Sequence, residues 1–347
     1  LGVQFGDLVE PRKISLDELK GRSIAFDGHN VIYQFLAIIR GQAGEPLKDA
    51  QGRITSHLSG ILYRNSNLME AGVRVVYCFD GRPHEFKRQT LEARHEVRVQ
   101  ARQRYEKAIE EGDQEGARRW GQQSIVASTD IIGDAKRLLT LMGVPWIQAP
   151  GEGEAQAAHM AIKGSVWASS SQDFDSLLLG APRLVRNLSI SGRRKLPRKN
   201  VYIKVEPEMY EYQKLLAELG LTREQLIDVG ILIGTDYNPD GIKGIGPKTA
   251  IKLIKKHGSL EAALPELPNA EFPHPVDEIR ALFLRPLVTD DYRLEWGKPD
   301  TAGILSYLCG EHNFSREKVL AAIEKMDKGF SSVTKGAARL DKWFRSP

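Results

Sequence analysis

Cysteine is scarce in this sequence. Only Cys78 and Cys309 occur in 347 residues, far apart and outside any CxxC or histidine-rich context. That excludes a disulfide framework and argues against a zinc site; two reduced thiols are the simpler reading. No apolar run approaches the roughly 20 residues needed to cross a bilayer. The N-terminus, which begins at Leu1 rather than Met, lacks a signal-peptide pattern. A strong charge of one sign is also missing. With 49 Lys and Arg against 45 Asp and Glu, the formal net charge is +4, so bulk charge names no partner and the placement of charges matters instead. What is present, 41% hydrophobic and 27% charged residues, suits a globular chain able to bury a sizeable core without covalent staples.

Several short β-rich runs end in turn residues. Ser23–Phe26 leads into Asp27-Gly28, Val73–Phe79 into Asp80-Gly81, Val144–Ile147 into Pro150-Gly151-Glu152, and Val166–Ser169 toward Asp173. Helical stretches such as Ala155–Ile162 follow. This alternation predicts an α/β fold with a mostly parallel central sheet flanked by helices. In such sheets ligands gather beyond the carboxyl ends of the strands, and those ends carry acids here. A lone strand-end Asp is as well explained by a helix N-cap. A set of acids at successive strand ends is better explained as a site.

Residues 87–123 break the alternation. Lys87, Arg88, Arg94, Arg98, Arg102, Arg104, Lys107, Arg118 and Arg119 lie among acids with few aliphatics, and Gly112-Asp113 signals a turn. One or two exposed inserted helices are expected. Residues 223–264 read as helix, loop, helix. Four prolines between Pro265 and Pro275 mark a boundary candidate, residues 277–328 return to helical patterning, and Gly329–Pro347 reads as a flexible tail.

The acids come as Asp27, Asp80, the pair Glu152 and Glu154, the pair Asp173 and Asp175, and Asp236. Crowding so many carboxylates is costly unless cations neutralise them. An oxygen-only set suits magnesium. Two such ions about 4 Å apart can generate hydroxide and stabilise in-line attack on a phosphodiester. Gly244-Ile245-Gly246-Pro247-Lys248-Thr249 opens a helix carrying Lys252, Lys255 and Lys256. Its glycines let backbone approach a phosphate, and the helix N-terminus offers free amides. The loop carbonyls have room to hold a monovalent cation. An ordinary glycine-rich connection is the competing interpretation.

Taken in order, these blocks resemble the flap endonuclease family of structure-specific 5′ nucleases. The carriers are Phe26-Asp27-Gly28, Phe79-Asp80-Gly81-Arg82-Pro83, Ala149–Ala157, Ser171–Asp175, and Gly234-Thr235-Asp236-Tyr237 followed by Gly244–Lys248. The resemblance implies that Asp27, Asp80, Glu152 and Glu154 serve one Mg²⁺ and Asp173, Asp175 and Asp236 a second, with Mn²⁺ as a substitute and K⁺ at the glycine loop. It implies that Lys87 and Arg94 face the scissile phosphate and that a base stacks on Tyr33. Thr55 and Arg64 would meet the duplex junction, while Gly244, Gly246, Lys248 and Lys252 would grip the duplex in a helix–two-turn–helix element. His57 is read as structural.

The implied organisation is an N-terminal nuclease region (1–98), a helical cap or arch (99–130), an internal nuclease region (131–258), a C-terminal helical region (259–328) and the tail (329–347). In that tail Leu340, Trp343 and Phe344 resemble a motif that binds the sliding clamp, PCNA, although Ala337 stands where the motif usually has Gln. The chain ends three residues beyond Phe344 and so resembles archaeal members, with a cytoplasmic, nucleoid-associated monomer acting on branched or flap DNA in replication and repair. The competing functions are a 5′ exonuclease or junction resolvase, an RNA-processing nuclease, and a non-catalytic DNA-binding scaffold of the same fold.

Overall fold

The computed structural model describes residues 9–41, 44–190, 192–195 and 202–344; the side chains of 191–204 and 332–344 lie outside the description. The described residues include nine strands: β1 (Arg12–Lys13), β2 (Ser23–Asp27), β3 (Arg74–Phe79), β4 (Trp146–Gln148), β5 (Ala168–Ser170), β6 (Arg183–Arg186), β7 (Gly192–Lys195), β8 (Tyr202–Val205) and β9 (Glu208–Glu211). Seven form one sheet in the order β1-β9-β6-β5-β2-β3-β4, and β7 and β8 pair as a separate hairpin. The run from β6 to β4 is parallel, whereas β9 pairs antiparallel with both β6 and β1.

The four strands expected from the sequence are present within one or two residues of their predicted bounds. They are hydrogen-bonded neighbours in the order β5-β2-β3-β4, which leaves β4 at one edge of the sheet. The interiors of β2 and β3 are apolar on both faces, as in Ile24-Ala25-Phe26 and Val75-Val76-Tyr77-Cys78-Phe79, because helices cover both sides of a parallel sheet. The remaining strands of that sheet, β1, β6 and β9, were not anticipated. β1 is only Arg12–Lys13, and β6 and β9 each hold a single apolar pair, Leu184-Val185 and Met209-Tyr210, between charged residues, too short a run to signal a strand.

One core packs helices Gly28–Ile38, Ser56–Glu70, Thr129–Leu141 and Arg316–Phe344 onto the sheet, through Phe35, Leu36, Leu62, Leu138, Val319 and Ile323 among others. A second gathers helices Asp175–Leu178, Arg223–Ile233, Pro247–His257 and Val276–Leu284 around Phe174, Leu226, Ile254 and Phe283. The expected C-terminal region 259–328 therefore divides between two cores: Leu260, Ile279 and Phe283 join the second, and Ile304, Tyr307 and Val319 the first. Between them, residues 285–299 run without helix or strand. The Gln156 amide pins this segment by accepting from Thr289 N and donating to Thr289 O, each at 2.9 Å.

The inserted helices are Arg88–Glu110 and Gln114–Gln123, separated at Gly112-Asp113 as the turn signal predicts. Asp113 caps the second by accepting from Gly116 N at 2.9 Å. The first helix runs unbroken through position 98, so the cap shares a rigid element with the nuclease region. Nor is the tail separate at position 329. The backbone of Arg316–Phe344 is one helix, in keeping with the helix-forming Ala, Lys, Leu and Arg residues of 335–342. The side chains of Leu340, Trp343 and Phe344 lie outside the described residues.

Glycine marks the places where strand ends crowd one another. A methyl group on Gly153 would stand 2.4 Å from the Cys78 carbonyl oxygen. That oxygen is backbone and has little freedom to retreat. Gly153→Ala is expected to destabilise the protein by about 1–3 kcal/mol, read as a lowered urea midpoint with an unchanged slope; an unaltered midpoint contradicts the close approach.

Candidate active site

The sheet order explains why the acids meet. The chain lays down β2, β3 and β4 side by side and then returns to place β5 on the other flank of β2. The crevice at such a reversal is where open α/β sheets bind ligands. Asp27 ends β2, Asp80 follows β3, and Glu152 and Glu154 open helix Gly153–Ile162 after β4. Asp173 and Asp175 follow β5. Asp236 arrives separately, from the turn after helix Arg223–Ile233.

The N-cap interpretation of Asp27 holds alongside the functional one. Its Oδ1 accepts from Asn30 N at 3.0 Å, which satisfies one of the free amides at the helix start. The Asn30 side chain donates to Asp173 Oδ2 at 3.2 Å, joining the β2 and β5 acids. Asp80 Oδ1 accepts from Gly153 N at 2.6 Å. Asp80 N donates to His29 Nδ1 at 3.0 Å. That ring nitrogen therefore acts as an acceptor, and the approach of His29 to the Asp80 carboxylate at 3.4 Å is not a salt bridge. Burial agrees, holding the His29 pKa below its ordinary value against the pull of Asp80. Glu154 Oε1 accepts from Ser176 N at 3.0 Å and Ser176 Oγ at 2.6 Å, which leaves its second oxygen for other partners.

Two acids are poorly solvated. Burial, and then the charges of Asp80 and Asp173, push Asp27 well above the usual carboxylate range. Burial also pushes Glu154 well up, reinforced by Asp175, Asp27 and Asp173. Asp236 behaves oppositely: burial acts to raise it, but Lys87 and Arg94 outweigh that and hold it below the ordinary value. Lys87 Nζ lies 3.0 Å from Glu152 Oε2 and 2.9 Å from Asp236 Oδ2, and Arg94 Nη2 bonds to Asp236 Oδ1. Burial opposes the Lys87 charge, yet the two carboxylates raise its pKa and keep it an ammonium. The i, i+7 spacing predicts one shared helix face, but Lys87 closes the short turn Glu85–Lys87 before helix Arg88–Glu110; both cations nevertheless meet at Asp236.

Among the described residues, no three His, Cys, Asp or Glu side chains close into a ready-made metal cage. Lys87 accounts for part of this, because it draws Glu152 and Asp236 to itself. The donor set still fits hard divalent cations. It is all oxygen, it contains two carboxylates whose charged forms are strained by burial and like charge, and magnesium keeps several waters, so it needs no closed protein cage.

The other expected residues separate into two groups. Tyr33 is half-buried on helix Gly28–Ile38, which starts after Asp27, with the Arg98 guanidinium 4.9 Å from its ring centroid. Gly244 adopts φ +85°, Gly246 caps helix Pro247–His257, and neither has an atom within 4 Å of where a Cβ would sit. Lys248 and Lys252 are exposed beside them. Backbone, amides and ammonium groups there face outward together. Thr55 and Arg64, by contrast, point inward. Thr55 is 4% exposed. Burial lowers the Arg64 pKa to about 10, and its guanidinium donates to the Leu188 carbonyl. Both serve packing in this conformation. His57 is fully buried; its Nε2 lies 3.8 Å from Asp134 Oδ2, and neither ring nitrogen makes a hydrogen bond among the described residues.

Several contributors escaped sequence reasoning. Asn30 and His29 follow Asp27, Ser176 follows Asp175, Thr90 Oγ1 donates to Asp236 O at 2.6 Å, and Tyr237 Oη donates to Glu152 Oε1 at 3.0 Å. Adjacency to a motif acid was the available signal for all but Thr90.

Comparison with known proteins decides the family. The XPG N-terminal domain matches residues 4–101 and the XPG I-region residues 143–236. Flap endonuclease 1 of Staphylothermus marinus is 51% identical over 99% of this chain and 100% of its own length. This chain belongs to the flap endonuclease 1 family. The Pyrococcus furiosus member is 50% identical over the same shares. The solved flap endonuclease-1 from Methanococcus jannaschii superimposes with a TM-score of 0.75 at 38% identity, covering 95% of this chain and 99% of that one. The catalytic core of Rad2 in complex with DNA substrate gives 0.67 at 26% identity, covering 90% and 96%. Residues 102–142, which hold most of the cap, fall between the two matched domain regions.

The strained acids have a consequence for stability. The folded-state pKa of Asp27 lies above its unfolded value of about 3.9. Its contribution is therefore favourable below that value and is lost as pH rises through the folded pKa. In chelator, Asp27→Asn is expected to be more stable than the parent at pH 8 by about 1 kcal/mol or more, with the gain vanishing near pH 4. Urea unfolding at both pH values checks this; a variant less stable than the parent at pH 8 contradicts it.

Proposed function

We propose that this protein is a divalent-metal-dependent, structure-specific 5′ flap endonuclease that cuts DNA near the junction of single and double strands. It would leave a 5′ phosphate and a 3′ hydroxyl and act in replication and repair, with 5′–3′ exonuclease activity on nicked or recessed ends. The observation that carries this reading is the convergence of seven acids on one strand-end crevice, with Lys87 and Arg94 reaching into it. Family membership and archaeal relatives of equal length support the same assignment.

Asp27, Asp80, Glu152 and Glu154 would serve one ion and Asp173, Asp175 and Asp236 the other. Bound there, Mg²⁺ or Mn²⁺ would supply an activated hydroxide and charge stabilisation for in-line attack. The protein residues do the rest. Lys87 and Arg94 offer cations to the phosphate oxygens as negative charge develops, exchanging Glu152 and Asp236 for substrate. Tyr33 presents a ring face to the base beside the cut once Arg98 withdraws. Gly244, Gly246, Lys248 and Lys252 would grip the duplex backbone without reading sequence, and the loop carbonyls would hold K⁺. The basic cap helices would guide the single-stranded flap. Selection would follow DNA shape and deformability.

No helix of the described residues is long and apolar enough to cross a membrane. A cytoplasmic, nucleoid-associated monomer that docks on the sliding clamp through Leu340, Trp343 and Phe344 completes the proposal.

Cleavage-site mapping on a double flap, a blunt duplex and a four-way junction, each with and without Mg²⁺, tests it. The double flap should be cut fastest, near its base and only with metal. Fastest cutting of the four-way junction would instead favour a resolvase. Asp175→Ala is expected to lower cleavage by at least about a thousandfold while double-flap affinity in Ca²⁺ changes little. Undiminished cleavage by that variant would place the site elsewhere.

A further inference from the structure

The turn that delivers Asp236 also delivers Tyr237, to which the reaction as described assigns no role. Thr235 Oγ1 donates to Asn238 Oδ1 at 2.6 Å, and Asn238 Nδ2 donates to the Ile231 carbonyl at 2.6 Å. Both side chains are buried. Tyr237 N donates back to Thr235 Oγ1 at 3.2 Å. This knot sets the direction of residues 236 and 237 against the end of helix Arg223–Ile233. The Tyr237 ring lies edge-on to Phe283 at 5.4 Å and to His84 at 6.4 Å. Its hydroxyl then reaches Glu152 Oε1 at 3.0 Å.

Both oxygens of Glu152 are thereby held from different directions: Oε2 by the ammonium of Lys87, Oε1 by a phenol on a packed ring. An ammonium on a four-carbon stem can leave when a metal or phosphate arrives. The phenol has two side-chain torsions and packed neighbours, so it stays. The hydroxyl is the donor in this contact and the carboxylate oxygen the acceptor.

We propose that Tyr237 is a positioning residue. It fixes the Glu152 carboxylate in the orientation that a divalent ion needs and couples the metal site to the glycine loop that grips the duplex, since residues 234–238 and 244–248 belong to one connection. This inference rests on the metal-dependent reading above. Hydrogen-bonded partners of metal-binding carboxylates commonly contribute a ten- to hundredfold effect on metal affinity.

The test is Tyr237→Phe, which keeps the ring contacts and removes only the hydroxyl. Mn²⁺ binding to the DNA-free protein, followed by the EPR signal of unbound Mn²⁺, should weaken by about tenfold or more. The half-saturating Mg²⁺ concentration for double-flap cleavage should rise correspondingly, with kcat recovering to within a few-fold at saturating Mg²⁺. Thermal unfolding in chelator and double-flap affinity in Ca²⁺ should match the parent. Equal Mn²⁺ affinity in variant and parent overturns the positioning role alone, as does a kcat loss that no Mg²⁺ concentration recovers. A parent that binds no Mn²⁺ overturns this inference together with the metal-dependent reading.

Discussion

The repulsion among carboxylates at the ends of β2, β3, β4 and β5 is the constraint on which the rest of this structure depends. A parallel sheet reversing direction beside β2 brings those ends together, and each carries at least one acid. Nothing in a hydrophobic core rewards such crowding. The protein answers it with local devices: Asn30 bridges the acids of two strands, the Gly153 amide neutralises part of Asp80, Ser176 holds Glu154, and Lys87 and Arg94 restrain Asp236. Asp27 and Glu154 remain strained toward protonation. That residual strain is free energy available to an incoming cation, and it is the usual exchange of stability for function at an active site.

The second organising feature is how many elements meet at residues 234–238. Helix Arg88–Glu110 reaches this turn through Thr90 and Arg94, and Lys87 joins it from the preceding turn. The helix after β4 reaches it through Glu152 and Tyr237. The glycine loop at 244–248 continues from it. The inserted helices, the acids and the glycine loop therefore share one short segment whose own shape is locked by Thr235 and Asn238.

Much of this was legible in the sequence because parallel strands buried on both faces leave conspicuous apolar runs, and because acids directly after such runs have no packing reason to be there. Lys87 and Arg94 converge on Asp236 although Lys87 sits in the turn before the helix rather than on its face. Thr55 and Arg64 were legible only as part of a resemblance, and the structure turns both inward. An Arg beside a helix reads the same in sequence whether its guanidinium faces solvent or a buried carbonyl. Strands β1, β6 and β9 were missed because two to four residues with at most one apolar pair carry no periodic signal, and the tail boundary because Gly329 looks like a breaker. In fact Gly329 lies where helix Arg316–Phe344 passes close to the Met69 carbonyl, and a side chain there would collide with it.

The sequence by itself determined the strand-and-helix alternation, the identity of the seven acids and the two cations, and the family. These follow from local residue order, which sets periodicity, turn chemistry and motif spacing. Only the tertiary structure decided which acids share an environment, that Lys87 spans Glu152 and Asp236, and that Tyr237 secures Glu152. Those relations join residues 65 to 149 positions apart, and long-range proximity arises from sheet order and packing rather than from any local preference of the chain.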